Sequence, residues 1–299
     1  MFKIEYKSLN NNIAIISGFN NIGIIKNGSN TILIDSGLED RAAKTICKIL
    51  NEQGLTPSAI INTHSHADHC GGNNYLQHNY SVEILSSAIE KVFIENPCLE
   101  PLCFFSGSKP IKKLENKFLQ ATPSKVTRVV KGGDDIKLSD LEINIIPLAG
   151  HSIDQIGVEF ANMLFCGDSF FSEHVLEKYK LPFLIDLDKS LETLELLKKS
   201  NYQTYIPSHG QATEDIKTIV DLNIAKIKKI EADIISILET EKTTEEMLRE
   251  RFYKYDIRVS GPQQYYLLNT TVMAYISSLT NRSIVKTGLK DNILTWKLM

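Results

Sequence analysis

The sequence HSHADH at positions 64–69 constrains this chain more than any other feature, because it places three histidines and one aspartate within six residues. It follows an apolar, strand-like segment. Such side chains are costly to bury without partners, whereas imidazole and carboxylate are the usual ligands of zinc and related metals. In an extended segment His64 and His66 point to the same side, and Asp68 and His69 point elsewhere as the chain turns. The spacing therefore predicts two adjacent metal sites rather than one.

The bulk composition is that of an ordinary globular protein. With 299 residues and a formal net charge of −3, the chain suits one large domain, with or without a small appendage. Its five cysteines have no disulfide-framework spacing, which is typical of a reducing cytosol. The N-terminus lacks the pattern of a secretory signal, and no stretch approaches the roughly 20 apolar residues that a membrane span needs. We therefore expect a cytoplasmic protein with no membrane partner.

Short β-rich runs alternate with helical patterns along most of the chain, which predicts a mixed α and β domain over residues 1–225. Residues 96–125 interrupt this rhythm with four X-Pro pairs around an apolar segment. Irregular insertions of this kind often form lids or binding elements. The expected strands cover residues 13–17, 22–26, 31–35, 59–63, 82–85, 126–130, 141–146, 156–160, 163–166 and 203–206. The expected helices cover residues 39–53, a segment from 88, 188–199 and about 213–240.

Residues 226–299 read as a separate module. A capping box over residues 243–246 predicts the start of one helix, and the proline at 262 predicts the start of another. Residues 284–289 and 293–298 flank a turn and predict a hairpin. This order of helices followed by a hairpin is that of a winged-helix domain, so we predict a winged-helix-like C-terminal domain.

Three isolated metal-binding residues occur in loops that follow strand-like segments, namely His151, Asp168 and His209. Each alone has an ordinary explanation as a loop residue. Together with the 64–69 cluster, however, they supply five histidines and two aspartates. This is a suitable inventory for two adjoining metal sites.

The complete set resembles the metallo-β-lactamase-fold hydrolase superfamily, with its His-x-His-x-Asp-His motif at 64–69. The resemblance covers roughly residues 10–225. It implies the α+β class, as a four-layer αβ/βα sandwich of two mixed β-sheets flanked by helices, with the metals at one edge. It also implies that the first metal is held by His64, His66 and His151, that the second is held by Asp68, His69 and His209, and that Asp168 bridges them.

The same resemblance implies the chemistry. Two divalent metal ions, expected to be zinc with iron or manganese as alternatives, would share a bridging hydroxide that attacks the substrate. Asp168 would hold the metals together, and Asp68 would orient the hydroxide and collect a proton. Asp35 resembles the family's aspartate that braces the metal-binding loop, although a turn or capping role is the simpler alternative.

The substrate is less constrained by the sequence. Residues 96–125 combine Phe104 and Phe105 with several lysines, including Lys112 and Lys113. A mixed apolar and basic lid would suit a small-molecule substrate with an anionic tail, such as a coenzyme thioester. The alternative is that this segment is a solvated amphipathic surface.

Three functions compete. A glyoxalase-II-like hydrolase of a thioester, ester or lactone is the first, because the ligand set is complete. The winged-helix-like tail suggests an RNA or DNA nuclease or a phosphodiesterase instead, but residues 226–299 carry only 12 Lys and Arg against 9 Asp and Glu, a slight excess for binding phosphates. The third is a mononuclear-iron persulfide dioxygenase. The tail could also pack on the catalytic domain or form a homodimer, and we prefer this to nucleic-acid binding.

Overall fold

The computed structural model describes residues 4–138 and 140–299, and its framework is a pair of mixed β-sheets. In the seven-stranded sheet the strands lie in chain order. The first four pair in antiparallel fashion, and β4 to β7 run parallel. These strands are β1 (Glu5–Ser8), β2 (Ile13–Ser17), β3 (Ile22–Asn27), β4 (Asn30–Ile34), β5 (Thr56–Ile61), β6 (Glu83–Ser86) and β7 (Arg128–Val129).

The second sheet has five strands in the order β12-β11-β10-β9-β8. Its neighbours are antiparallel except for the parallel pair of β11 and β12. The strands are β8 (Asp135–Leu138), β9 (Leu141–Pro147), β10 (Ile156–Phe160), β11 (Met163–Gly167) and β12 (Thr204–Pro207). Both sheets are therefore mixed, as predicted.

Three apolar cores define four layers. One core lies between the sheets, where Ile61 and Leu85 of the first sheet meet Ile145 and Phe165 of the second. A second core covers the outer face of the seven-stranded sheet, and a third covers that of the five-stranded sheet. The helices of these layers are α1 (Asp40–Glu52), α2 (Ala67–Cys70), α3 (Asn73–Tyr80), α4 (Ala88–Glu95), α5 (Leu99–Phe104), α6 (Glu173–Lys178), α7 (Leu187–Lys199) and α8 (Ile216–Ile237).

The C-terminal part comprises β13 (Lys242–Thr243), α9 (Thr244–Lys254), α10 (Pro262–Asn281), β14 (Val285–Lys290) and β15 (Ile293–Leu298). The capping box at the start of α9 is present, and the predicted hairpin forms a three-stranded sheet with β13. The winged-helix assignment itself stays a prediction. Met247, Val272 and Trp296 belong to the same apolar core as Leu164 and Leu194 of the larger part. The expected boundary at 225 lies inside α8, so this helix and its core join the two parts.

Several elements were not predicted from the sequence. The short helices α3 and α6 and the edge strand β1 lack a strong apolar period, and α5 lies within the segment that was expected to be irregular. In the portion of the chain described by the structure, no helix has both the length and the apolar composition that crossing a membrane requires.

Candidate metal centre

The predicted ligands meet at one edge of the sandwich. His64 and His66 lie between β5 and α2, α2 carries Asp68 and His69, and the other three ligands lie beyond or between strands of the second sheet. Asp168 follows β11 and His209 follows β12, whereas His151 lies in the connection between β9 and β10. Because the ends of β5, β11 and β12 lie at the same edge, side chains that are more than 140 residues apart in sequence become neighbours.

Three histidines form the first group. The Nδ1 atom of His66 lies 3.0 Å from Nε2 of His64 and 3.0 Å from Nε2 of His151. His64 is fully buried and His151 is 8% exposed. The three nitrogen atoms face one another closely enough to hold one metal ion between them.

The second group combines Asp68, His69 and His209, whose ligand atoms also converge. The Oδ2 atom of Asp68 lies 3.5 Å from Nε2 of His69 and 3.2 Å from Nε2 of His209. Asp168 lies between the two groups, since its Oδ2 atom is 3.4 Å from Nε2 of His151 and 3.6 Å from Nε2 of His209. The structure therefore brings together all seven residues that were expected to bind metal.

Two buried polar atoms support a cation here. The Nε2 atom of His69 and the Oδ1 atom of Asp168 have no hydrogen-bond partner. A buried polar atom without a partner is destabilising, and both of these atoms belong to residues of the cluster. Imidazole and carboxylate together form a donor set that suits divalent metals such as zinc, so the residues fit the ions that the sequence predicts.

The electrostatics differ between the two groups. Burial lowers the pKa of His64 and His151 well below the usual value and lowers that of His66 to about 4, so these imidazoles stay neutral, as metal ligands must. Burial would also lower the pKa of His69, but the surrounding carboxylates outweigh it, led by Asp68, and raise the pKa well above its usual value. The negative charge around His69 attracts a cation.

Asp35 braces the cluster from behind. It follows β4 with a φ of 66°, a left-handed conformation that aspartate tolerates better than most residues. Its carboxylate accepts hydrogen bonds from the backbone N–H (2.8 Å) and the hydroxyl (2.9 Å) of Thr63. Its Oδ2 atom also lies 2.8 Å from Nδ1 of His69. If Nδ1 donates in that contact, Nε2 of His69 is left free to bind a metal.

Glu90 is a second buried brace, which the sequence analysis missed. This residue of α4 is 2% exposed. Its Oε2 atom accepts hydrogen bonds from the backbone N–H (2.9 Å) and hydroxyl (2.6 Å) of Ser65. Its Oε1 atom accepts from the hydroxyl of Ser152 (2.8 Å) and the backbone N–H of Asp154 (3.0 Å). Glu90 therefore ties the loop of His64 and His66 to the loop that carries His151. No local sequence signal marks this role, because the partners of Glu90 lie 25 and 62 or more residues away along the chain.

The glycines after the cluster allow close backbone packing. A Cβ atom on Gly71 would overlap the backbone carbonyl of Leu38, and one on Gly72 would overlap that of Ser36. The backbone N–H of Gly72 also donates to the carbonyl of Gly37 (3.0 Å). These contacts hold α2 against the loop that follows β4.

The expected lid residues have different environments. The ring of Phe104 packs against that of Phe183, with a centroid distance of 6.0 Å, and Phe105 packs against Tyr266 of α10. Lys112 and Lys113 are exposed. Neither lysine lines the cavity beside His66, to which Phe104 contributes, so their positions give no support to the anionic-tail interpretation.

Comparisons with known proteins agree with this geometry. The family model described as "Metallo-beta-lactamase superfamily" matches residues 16–209. A hydroxyacylglutathione hydrolase of Photobacterium profundum is 28% identical over 154 residues, which are 51% of this chain and 48% of the relative. An uncharacterized protein of Mycobacterium leprae is 24% identical over 190 residues, which are 62% of this chain and 83% of that protein. The chain thus spans about half the length of the hydroxyacylglutathione hydrolase.

Solved structures show the same fold. A metallo-beta-lactamase family protein from Thermus thermophilus superposes with a TM-score of 0.75 at 16% identity, covering 100% of this chain and 98% of that one. A beta-lactamase domain protein from Burkholderia ambifaria also gives 0.75, at 15% identity, with coverage of 99% and 94%. The superposition therefore extends through the C-terminal part.

Proposed function

The chain belongs to the metallo-beta-lactamase superfamily, and from this premise we propose that it is a dinuclear metal-dependent hydrolase. The observation that carries the proposal is the convergence of seven buried or half-buried ligands into two adjoining groups, with Asp168 between them. We propose zinc as the metal, because the two groups combine neutral imidazoles with carboxylates.

The chain's own residues would divide the work. Two divalent ions, when bound, would supply an activated water as nucleophile and polarise the substrate. His64, His66 and His151 would hold one ion, and Asp68, His69 and His209 would hold the other. The carboxylate of Asp168 would fix the separation between the two. Asp68 is about one-fifth exposed, so its carboxylate can also accept a proton and pass it to solvent.

We propose a thioester, ester or lactone as the substrate. Several relatives are named hydroxyacylglutathione hydrolase, and that name describes hydrolysis of a thioester. A nuclease role is less favoured, because α10 carries no Lys or Arg and packs its Tyr266 against Phe105 rather than presenting a basic surface. A mononuclear dioxygenase is less favoured because the second ligand group is complete.

The test is metal analysis combined with a hydrolysis panel. Purified protein would be assayed for zinc, iron and manganese, and then with thioesters, lactones, phosphodiesters and RNA. We expect two metals per chain and hydrolysis of the first two substrate classes. Asp168→Asn and His66→Ala should lower kcat/KM by at least 100-fold, with His78→Ala, a solvent-exposed histidine of α3, as the matched control. Equal activity of these variants and the wild type would refute the proposed site, and one iron per chain would favour the dioxygenase.

A further inference from the structure

A small cavity of about 140 Å³ lies beside His66. Its walls come from six parts of the chain, namely the loop at 65–66, α4, α5, the loops around 152–153 and 183–185, and α10. They consist of Ser65, His66, Glu90, Phe93, Glu100, Cys103, Phe104, Ser152, Ile153, Phe183, Ile185 and Thr270.

Phe183 connects this cavity to the metal centre. Its ring centroid lies 5.6 Å from that of His66 and 5.4 Å from that of His151. Its backbone carbonyl lies 3.1 Å from Nδ1 of His151, which suits a hydrogen bond donated by the ring. A group that occupies the cavity therefore lies directly beside the first group of ligands. This is where the part of a substrate next to the reacting bond would lie.

The cavity is apolar and carries no Lys or Arg. Phe93, Phe104 and Ile153 lie in its wall, and the carboxylate of Glu90 is already held by four hydrogen bonds. Glu100 forms no ion pair within the described ranges. Burial raises the pKa of Glu100 well above its usual value, and the charges of Asp68 and Glu90 raise it further. A negatively charged group entering this cavity would lose its water without gaining a cationic partner.

We propose that this cavity binds the acyl group of the substrate and selects acyl groups that are apolar and uncharged at their far end. The inference rests on the proposed hydrolase function and names its substrate class. In place of the anionic tail that the lysines of residues 96–125 suggested, the cavity favours a substrate with an uncharged acyl chain. Each buried methylene is worth roughly a fourfold gain in binding, so four additional methylenes can give up to about 250-fold when all are fully buried.

The first experiment compares acyl thioesters of one small neutral thiol, N-acetylcysteamine, on the metal-loaded protein. We expect kcat/KM for hexanoyl to exceed that for acetyl by about 100-fold, and that for adipoyl, which ends in a carboxylate, to stay near the acetyl value. Phe104→Ala should lower the hexanoyl value at least tenfold and the acetyl value less than threefold. Phe118→Ala is the matched control, because this phenylalanine of the same segment is 52% exposed and does not line the cavity. Equal rates for acetyl and hexanoyl would overturn the proposal.

A separate variant tests whether the cavity rejects acyl groups that end in a negative charge. Ile153 is 55% exposed at the cavity wall, so Ile153→Lys should fold and should place a cation there. We expect it to raise the adipoyl to hexanoyl ratio of kcat/KM at least tenfold. Ile111→Lys, at an isoleucine that is 42% exposed outside the cavity, should leave the ratio unchanged. An unchanged ratio in Ile153→Lys would overturn the charge selection.

A third measurement needs neither metal nor turnover, so it separates failure of the cavity from failure of the hydrolase function. Cys103 and Cys98 are both exposed, but only Cys103 lines the cavity. Hexanamide at millimolar concentration should slow alkylation of Cys103 at least threefold and leave Cys98 unaffected, as followed by mass spectrometry. If no thioester is hydrolysed but Cys103 is protected, the reaction class is wrong and the apolar site stands. If Cys103 is not protected, the site is refuted.

Discussion

Replacing Glu90 by glutamine tests whether this buried carboxylate holds the two ligand-bearing loops together. The glutamine has nearly the same shape, so the change removes a charge without creating a cavity. Its amide can turn its oxygen towards the donors at Ser65 or towards those at Ser152 and Asp154, but not towards both. The other pair of donors then faces the –NH₂ group of the glutamine. The serine hydroxyl of that pair can rotate to accept a hydrogen bond from the amide, but the buried backbone N–H of the pair loses its acceptor.

The expected loss follows from these four bonds. One unpaired backbone N–H destabilises the fold by about 1–3 kcal/mol, and hydrogen bonds to a neutral acceptor are each weaker by about 0.5–1 kcal/mol than those to a charged one. After part of this is offset by the easier burial of a neutral side chain, we expect Glu90→Gln to lower the free energy of unfolding of metal-free protein by about 3 kcal/mol. Because the loops position His66 and His151, the metal Kd should rise about 10- to 100-fold.

The assays are guanidinium titration of metal-free protein and chelator competition for the metal. Glu95→Gln is the matched control, because Glu95 lies on the same helix and accepts one hydrogen bond, 3.1 Å long, from the backbone N–H of Val126. A glutamine oxygen can replace that acceptor, so its effect should be below about 1 kcal/mol. If Glu90→Gln matched the wild type within about 0.5 kcal/mol in stability and its metal Kd were unchanged, the bracing role would be refuted.

Three further predictions concern the same edge of the sandwich. Asp35→Asn should raise the Kd of one metal about 10- to 100-fold, because His69 loses the carboxylate that orients its ring; chelator titration that shows two unchanged affinities would contradict this. Burial lowers the pKa of His66 to about 4 in the folded protein. As the pH falls below about 6.5, the unfolded chain therefore binds a proton at this histidine before the folded protein does. Between pH 7 and 4 the free energy of unfolding of metal-free wild type should fall by up to about 3 kcal/mol relative to that of His66→Gln. Parallel stability curves in guanidinium would exclude this. Gly71→Ala should destabilise the protein by at least about 3 kcal/mol, because the new methyl group meets a backbone carbonyl, whereas Gly261→Ala, where nothing lies within 4 Å, should melt within a few degrees of the wild type.

The ligand set could be predicted from the sequence because each ligand lies in a local pattern. The 64–69 cluster is dense enough to be conspicuous, and His151, Asp168 and His209 each lie beside glycine or serine in a loop after a strand-like segment. Strand runs such as 13–17 and 156–160 were predicted from the sequence pattern and are present in the structure, whereas the arrangement in two mixed sheets was implied by the family resemblance. Apolar periodicity and turn residues are short-range patterns, so they can be recognised in the sequence without knowledge of the fold.

The bracing and the substrate cavity could not be predicted, because they depend on long-range packing. Glu90 contacts Ser152, which is 62 residues away in sequence, and nothing near either residue indicates that contact. Thr270 of α10 lies in the same cavity wall as Ser65, which requires the C-terminal part to be docked in place. The lysines that suggested an anionic tail were a surface feature, since a charged side chain in a loop carries no local signal of the direction in which it points.

The positions of the two braces suggest how the site separates chemistry from specificity. Asp35 holds the loop of His69, and Glu90 ties the loop of His66 to that of His151, so buried carboxylates fix both ligand groups from behind. The cavity beside His66 shares His66 and Glu90 with this machinery, but α5 and α10 supply other parts of its wall. Phe104 is neither a ligand nor a brace, so it can change without removing either. Substitutions in α5 and α10 should then alter which acyl group is accepted, whereas substitutions in the braces should weaken metal binding for every substrate alike.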